Sequence, residues 1–206
     1  MKNKFIPIIL LAALSFNTVK AQSYIKNMLA FSWQTATPAS NTDFLSSTSY
    51  TGFKIEYRYF IKKNFSVGAF VDWNSNSEYF PTATYQNKDQ TQAVTTDMYR
   101  FIYTFPMGLN GHYYFDGGKL LRPFLGLSLG AQYSEQSMFY NIYESTNENW
   151  GFLARPELGV IITPFSNHSI ALLAGTSYAY ATNKNDDLKF TSMAHVNFQV
   201  GIVFQQ

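Results

Sequence analysis

The chain contains no cysteine, which excludes disulfides, a thiol nucleophile and a lipid-bearing N-terminal cysteine. It has only three histidines, scattered along its length, too few for a dedicated transition-metal site. No cofactor is expected. Charged residues make up 14% of the chain, and beyond the first 21 residues no apolar run approaches the ~20 residues that a spanning helix needs. Any membrane crossing must therefore be made by strands. A basic excess is also missing. The formal charge of +2 counts Lys2, Lys4 and Lys20; setting these three aside leaves 12 basic against 13 acidic residues. That balance gives no reason to expect nucleic acid as a partner.

What the chain does have is aromatic residues, 18% of the total and mostly Tyr and Phe, lopsided against so little charge for a soluble domain. Its first residues read as a secretory signal. Lys2 and Lys4 precede an apolar run from Phe5 to Phe16, and Val19-Lys20-Ala21 offers a small-residue cleavage site before Gln22. The expected organisation is a signal peptide over 1–21, cleaved near Ala21, and one domain over 22–206.

The stretch from Gly52 to Asn74 sets the pattern. Phe53, Ile55, Tyr57, Tyr59 and Ile61 alternate with Lys54, Glu56, Arg58 and Phe60. After Lys62-Lys63-Asn64, the residues Phe65, Val67, Ala69, Val71 and Trp73 share a face opposite Asp72. A period of two predicts two strands and a tight turn. The first face is too apolar for a water-exposed edge, so an oily outside and a charged inside are expected, as in a transmembrane hairpin.

The same alternation predicts six further strands. They lie over Tyr24 to Thr37, from Asp97 with a bulge or bend at Pro106, from Leu121 to Tyr133, from Trp150 to Ile162, from Ile170 to Tyr180, and from about Phe190 to Phe204. Glycines on the inward face of the fifth strand suit a crowded lumen. Polar stretches at Pro38 to Ser49, Ser75 to Thr96, Ser134 to Asn149 and Asn183 to Leu188 read as loops, the flanks of Ser75 to Thr96 extending their strands beyond the membrane, and Asp116 to Lys119 and Thr163 to His168 read as turns. The fold class is thus all-β, an eight-stranded antiparallel up-and-down transmembrane barrel. Its connections alternate long and short, with both termini on the short-turn, periplasmic side.

The run Phe105-Pro106-Met107-Gly108-Leu109, then Tyr113-Tyr114-Phe115, a Gly turn, and Arg122-Pro123-Phe124-Leu125-Gly126-Leu127-Ser128-Leu129-Gly130, resembles the centre of small Bacteroidota-type outer-membrane β-barrel domain proteins. These PorT-like proteins are broadly similar to the OmpX and OmpA transmembrane barrels. The resemblance implies a bacterial outer-membrane location, outer-membrane lipids as neighbours and the barrel-assembly machinery as a partner during insertion. It implies no shared activity. Many such barrels end on an aromatic insertion signal; here Phe204 is followed by Gln205 and Gln206, which shifts that signal by two residues.

Lys54, Glu56, Arg58, Asp72, Arg100, Arg155 and Glu157 share inward parity. An eight-stranded barrel is just wide enough to be filled by side chains, so these charges are expected to pair as a lumen plug. The functional alternative is a narrow ion path or a buried catalytic site. His112 and His195 also point inward, as do Ser66, Ser128 and Ser177. With an acid they would make a lipid-modifying hydrolase or acyltransferase, but parity alone cannot bring three groups together, and no His-x-Ser pair of the lipid A deacylase kind is present. A lipocalin-like ligand barrel would need an apolar lumen, which the inward charges oppose.

Trp33, Trp73, Tyr99, Trp150, Tyr178 and Tyr180 lie where strands meet loops and are expected to form an interface girdle. The loops are rich in Tyr, Asn, Ser and Thr, which make adaptable contacts with protein or sugar, although outward loops are polar in any case. Asn167-His168-Ser169 matches a glycosylation sequon but falls in a predicted periplasmic turn. The leading expectation is a non-enzymatic barrel that contributes to envelope integrity or binds a surface ligand through its loops.

Overall fold

A computed structural model describes residues 25–86, 93–115, 120–164 and 169–206. The expected signal peptide, its cleavage site, the 116–119 turn and Asn167 of the sequon lie outside the described residues. Eight strands follow one another as β1 (Asn27–Pro38), β2 (Ser49–Lys62), β3 (Phe65–Gln86), β4 (Ala93–Tyr114), β5 (Leu121–Tyr140), β6 (Tyr143–Ile162), β7 (Ile170–Ala181) and β8 (Met193–Gln205). Each pairs antiparallel with its chain neighbour, and β1 closes on β8. The fold is therefore an all-β, up-and-down closed barrel.

Closure turns the alternation of the sequence into an inside and an outside. On β2, Lys54, Glu56, Arg58 and Phe60 are buried, while Phe53, Tyr57, Tyr59 and Ile61 are exposed. On β5, Leu121, Leu125, Leu127 and Leu129 are exposed, and Phe124, Ser128 and Gln132 are buried. Inward glycines make room where a larger residue crosses the lumen. A Cβ on Gly126 would lie 2.4 Å from the His112 ring, and one on Gly159 would lie 2.7 Å from the Phe124 ring. The outer wall carries a continuous apolar band that water does not tolerate at this size.

The strands differ in length, and that difference departs from the sequence expectation. β1, β2, β7 and β8 run 12 to 14 residues, close to the ~9–11 of a spanning strand. β3 to β6 run 20 to 22. Their surplus extends beyond the band as a four-stranded wall on one side of the mouth. The stretch 134–149, expected as a loop, is instead largely strand, and at 75–96 the expected extension of the flanking strands takes in 75–86 and 93–96. Ser134 pairs with Asn149 and Tyr140 with Tyr143, leaving a two-residue turn at Asn141-Ile142, with Asn141 at φ 54°. A strand polar on both faces has no apolar alternation to betray it; only its Tyr, Thr and Val content favours extension.

The bulge expected at Pro106 is also absent. β4 passes through Pro106 in unbroken register with β5, opposite Gln132. On the β3 side the pairing lapses across Asp72 and Trp73 and resumes in the same register at Asn74 opposite Thr104. Pro106 faces inward beside that lapse, so its missing N–H disturbs no ladder bond there. The irregularities lie elsewhere, between Gln34 and Ala36, Phe60 and Lys62, and Phe80 and Ala83.

Two apolar clusters bracket the lumen. Towards the short turns, Met28, Phe60, Tyr114, Phe124, Ile161, Leu173 and Val203 pack together. At the opposite mouth, Phe44 and Leu45 of the 39–48 connection meet Ile102, Phe190 and Met193, with Phe44 and Phe190 edge to face at 5.4 Å. The 39–48 connection is tied across the mouth: Glu78 accepts the N–H groups of Ser46 and Ser47 at 2.6 and 3.2 Å, and Asn41 Nδ2 donates to the Ser192 carbonyl at 2.8 Å.

Candidate functional site: the charged lumen

Between the two clusters lie three cations and three carboxylates, set by inward positions of β2, β3 and β6. Lys54, Glu56, Arg58, Asp72, Arg155 and Glu157 are each 1 to 3% exposed. Their contacts alternate in sign. Arg155 Nη1 donates to Asp72 Oδ2, and its Nε lies 3.5 Å from Glu157 Oε1. Lys54 Nζ bridges Glu157 Oε2 at 2.9 Å and Glu56 Oε2 at 3.1 Å. Arg58 grips Glu56 with Nε at 2.7 Å and Nη2 at 3.0 Å, the bidentate geometry that suits a carboxylate.

Neutral groups complete the shell. Asn110 Nδ2 donates to Glu56 Oε1 at 2.8 Å, Arg58 Nη1 donates to Tyr114 Oη at 2.9 Å, and Ser128 Oγ donates to Glu157 Oε1. The cations also lie over rings, Arg155 at 4.4 Å from the Phe70 centroid and Arg58 at 4.6 Å from that of Phe124. Balanced charge with hydrogen bonds at most atoms is what makes buried ions tolerable. Asn110, Tyr114 and Ser128 share inward parity in the sequence, but parity does not say which inward residues lie at the same height.

Arg100 does not join them. It points inward but stands in the upper wall, where Nη1 donates to the carbonyls of Asp43 and Phe44 at 3.0 Å and its guanidinium lies 4.1 Å from the Phe80 ring. Burial lowers its pKa from the ordinary value, yet a guanidinium stays charged at any physiological pH. Its role is to fasten the 39–48 connection over the mouth.

Above the charges runs a layer of amides that sequence reasoning passed over. Gln34 Nε2 donates to Asn74 Oδ1 at 3.2 Å, Asn149 and Asn185 each donate to Gln136 Oε1 at 2.9 Å, and Asn183 Nδ2 donates to Asn149 Oδ1 at 2.7 Å. Inward Gln34 on β1, Asn74 and Asn76 on β3, Gln132 and Gln136 on β5, and Asn147 and Asn149 on β6 were the available signal.

Glu56, His112 and Glu157 could each offer a donor atom within 4.8 Å of the others. The trio does not fit a divalent ion well. Lys54 already bridges the two carboxylates, Arg58 holds Glu56, and an added ion would leave the lumen with uncompensated positive charge. His112 Nε2 lies 3.3 Å from Glu56 Oε1, and its ring packs edge-on to Phe124 at 5.3 Å. Ser66 sits opposite His112 in register, but its hydroxyl donates to Tyr114 Oη at 3.5 Å. Ser177 accepts from Asn197 Nδ2 at 3.3 Å. Among the described residues no serine hydroxyl is hydrogen-bonded to His112 or His195.

Of the outward aromatics, Trp33, Phe53 and Trp73 pair in one register row, and Phe105, Tyr133 and Trp150 form another run across β4 to β6. Trp33, Trp73, Tyr99, Trp150, Tyr178 and Tyr180 are all exposed. Tyr99 stands six residues beyond Phe105 along β4, and its ring meets that of Tyr79 at 4.8 Å, tilted by 46°, on the outer face of the projecting wall.

No protein-family profile matches the chain, and no curated protein matches it. Among solved structures it is similar to Neisserial surface protein A, at 16% identity over 91% of this chain and 100% of that one, with a TM-score of 0.48. It is similar also to the outer membrane protein OprG of Pseudomonas aeruginosa, at 12% identity over 88% and 96%, TM-score 0.44. A third is the outer membrane protease OmpT of Escherichia coli, at 7% identity over 92% and 99%, TM-score 0.47. Likenesses this loose carry no argument about activity, and the reading of the chain rests on its own geometry.

Proposed function

We propose that this is a non-enzymatic integral barrel of the bacterial outer membrane that contributes to envelope integrity or binds at the cell surface through its extracellular end. The observation that carries the reading is the filled lumen beneath an oily wall. Six buried, mutually compensated charges lie between two apolar clusters, and the outside presents Leu, Phe and Tyr side chains to its surroundings. The outside suits lipid, and the inside leaves little space for an ion path or a lipocalin-like ligand. In this orientation the short turns are periplasmic, and the projecting wall is extracellular.

Membership of the small Bacteroidota-type group, with its PorT-like members, belongs to the same proposal. It rests on residues 105–109, 113–115 and 122–130. So do outer-membrane lipids and the barrel-assembly machinery as partners. A lipid-modifying enzyme is the competing reading, and the surroundings of His112 and His195 speak against it, since neither is hydrogen-bonded to a serine among the described residues. Replacing both His112 and His195 with Gln is expected to leave the lipid A mass spectrum of the producing strain unchanged; disappearance of a modified lipid A species would establish the enzymatic reading instead.

A further inference from the structure

The outer face of the projecting wall lies on the same side of the sheet as the oily band, yet it is neither oily throughout nor simply polar. Beyond Phe105, β4 sends Tyr103, Phe101 and Tyr99 outward in three successive register rows, and in the last row Tyr79 of β3 and Phe139 of β5 flank Tyr99. At ~3.3 Å per residue, this aromatic column runs roughly 20 Å along the strand. Its rings are in mutual contact. Phe101 meets Phe139 edge to face at 5.5 Å and lies parallel to Tyr103 at 6.0 Å, and Tyr79 meets Tyr99 at 4.8 Å. Tyr79, Tyr99 and Phe139 are exposed. A contiguous aromatic surface of this kind, outside the membrane band, marks a site of interaction.

The neighbouring residues say what can cover it. In the row of Tyr103, Glu135 of β5 stands directly opposite Glu148 of β6, and in the row of Tyr99, Glu144 stands opposite Phe139. Carboxylates without cations do not lie in hydrocarbon, so this face stands above the acyl layer. Asp97, which accepts the Tyr79 hydroxyl at 3.4 Å, adds a further negative charge, and no described residue on this face is a Lys or Arg. Phosphate and sulfate groups are therefore disfavoured. A two-fold contact with a second copy would set each carboxylate column against rings or against its counterpart.

A group with apolar C–H faces, many hydroxyls and no charge meets all these conditions. That describes a sugar ring. Its C–H face suits the negative face of an aromatic ring, and its hydroxyls donate to carboxylates, which only accept. We infer that the outer face of the wall, centred on Tyr99, Phe101 and Tyr103, holds the uncharged saccharide headgroup of an outer-leaflet glycolipid whose chains lie against the apolar band below. The rings supply stacking, and Glu135, Glu144 and Glu148 accept from the hydroxyls. The inference deepens the outer-membrane reading above by naming the lipid class at this face, and rests on it.

The test uses the full mature protein refolded in a zwitterionic detergent and native mass spectrometry with digalactosyl diacylglycerol, phosphatidylcholine and phosphatidylglycerol of matched acyl chains. Adducts of the galactolipid are expected at least fivefold above those of either phospholipid. Y99S with Y103S should bring them within twofold of phosphatidylcholine, whereas F198S, which removes an exposed ring from β8, should keep the preference. Equal adducts of the three lipids would overturn the inference, as would a preference for phosphatidylglycerol. So would a galactolipid preference that survives Y99S/Y103S or is lost in F198S as well. Protein dimers that disappear in Y99S/Y103S would assign the face to a second copy instead. Heat-dependent gel mobility of the same samples reports the barrel separately, so a missing site and a failed barrel give different results.

Discussion

Replacing Arg155 with Ala is expected to lower the unfolding free energy of the barrel by about 3–5 kcal/mol, because it leaves buried charge without a partner. Arg155 is the cation hydrogen-bonded to Asp72 Oδ2, and among the described residues Asp72 Oδ1 has no hydrogen-bond partner. Glu157 loses one of its cations as well, keeping Lys54. Urea titration of the protein folded in lipid vesicles, followed by tryptophan fluorescence, measures the loss. The paired change R155M with D72L removes both charges and keeps most of the volume. It is expected to recover most of the stability, since neutral replacements of buried ion pairs are often tolerated. If R155A unfolds at the parent's denaturant concentration, the lumen is wet enough to screen its charges and is not a packed interior.

The second large effect lies on the other face. Leu127 is on β5, 49% exposed, with Pro156 and Gly111 as its register neighbours. Near the middle of the apolar band, Leu127→Arg is expected to cost about 2–4 kcal/mol in vesicles, as a cation facing the bilayer midplane does. The same change at Thr146, exposed on the outer face of the projecting wall, is expected to stay within about 0.5 kcal/mol, the range of ordinary surface substitutions. Comparable losses at the two positions would mean that the band does not face lipid. Together the two experiments probe the same alternation from opposite sides.

That alternation explains how much of the molecule was legible in its residues. From Phe53 to Trp73 the odd-numbered side chains are apolar except at the Lys63 turn, while those between them include Lys54, Glu56, Arg58 and Asp72, and a period of two has only one regular structure to fit. The eight strands, the closed ring and the inward position of Lys54, Glu56 and Arg58 follow from it. The projecting wall did not follow, because Ser145, Asn147 and Asn149 are polar like the outward Glu144, Thr146 and Glu148, and a two-sided polar strand looks like a loop.

Height was the second gap. Parity put Arg100 with Arg155, but position along a tilted strand depends on the stagger between neighbours, which the residues do not spell out. Only the ladder shows that Arg100 stands at the mouth while Arg155 lies among the carboxylates. The cap over that mouth was faintly visible, since Phe44-Leu45 is the one large apolar pair in an otherwise small and polar stretch. The ion pairing itself, with Lys54 shared between Glu56 and Glu157, depends on β2 facing β6 across the lumen, and no local pattern carries that information.

We propose a charged, packed lumen enclosed by a wall that faces outer-membrane lipid. Its most direct test is the gel mobility of the protein taken from outer-membrane fractions, with and without boiling. A closed barrel that survives detergent should migrate faster unboiled than boiled. Identical positions for the two samples, or recovery of the protein only from the soluble periplasm, would rule out a closed outer-membrane barrel.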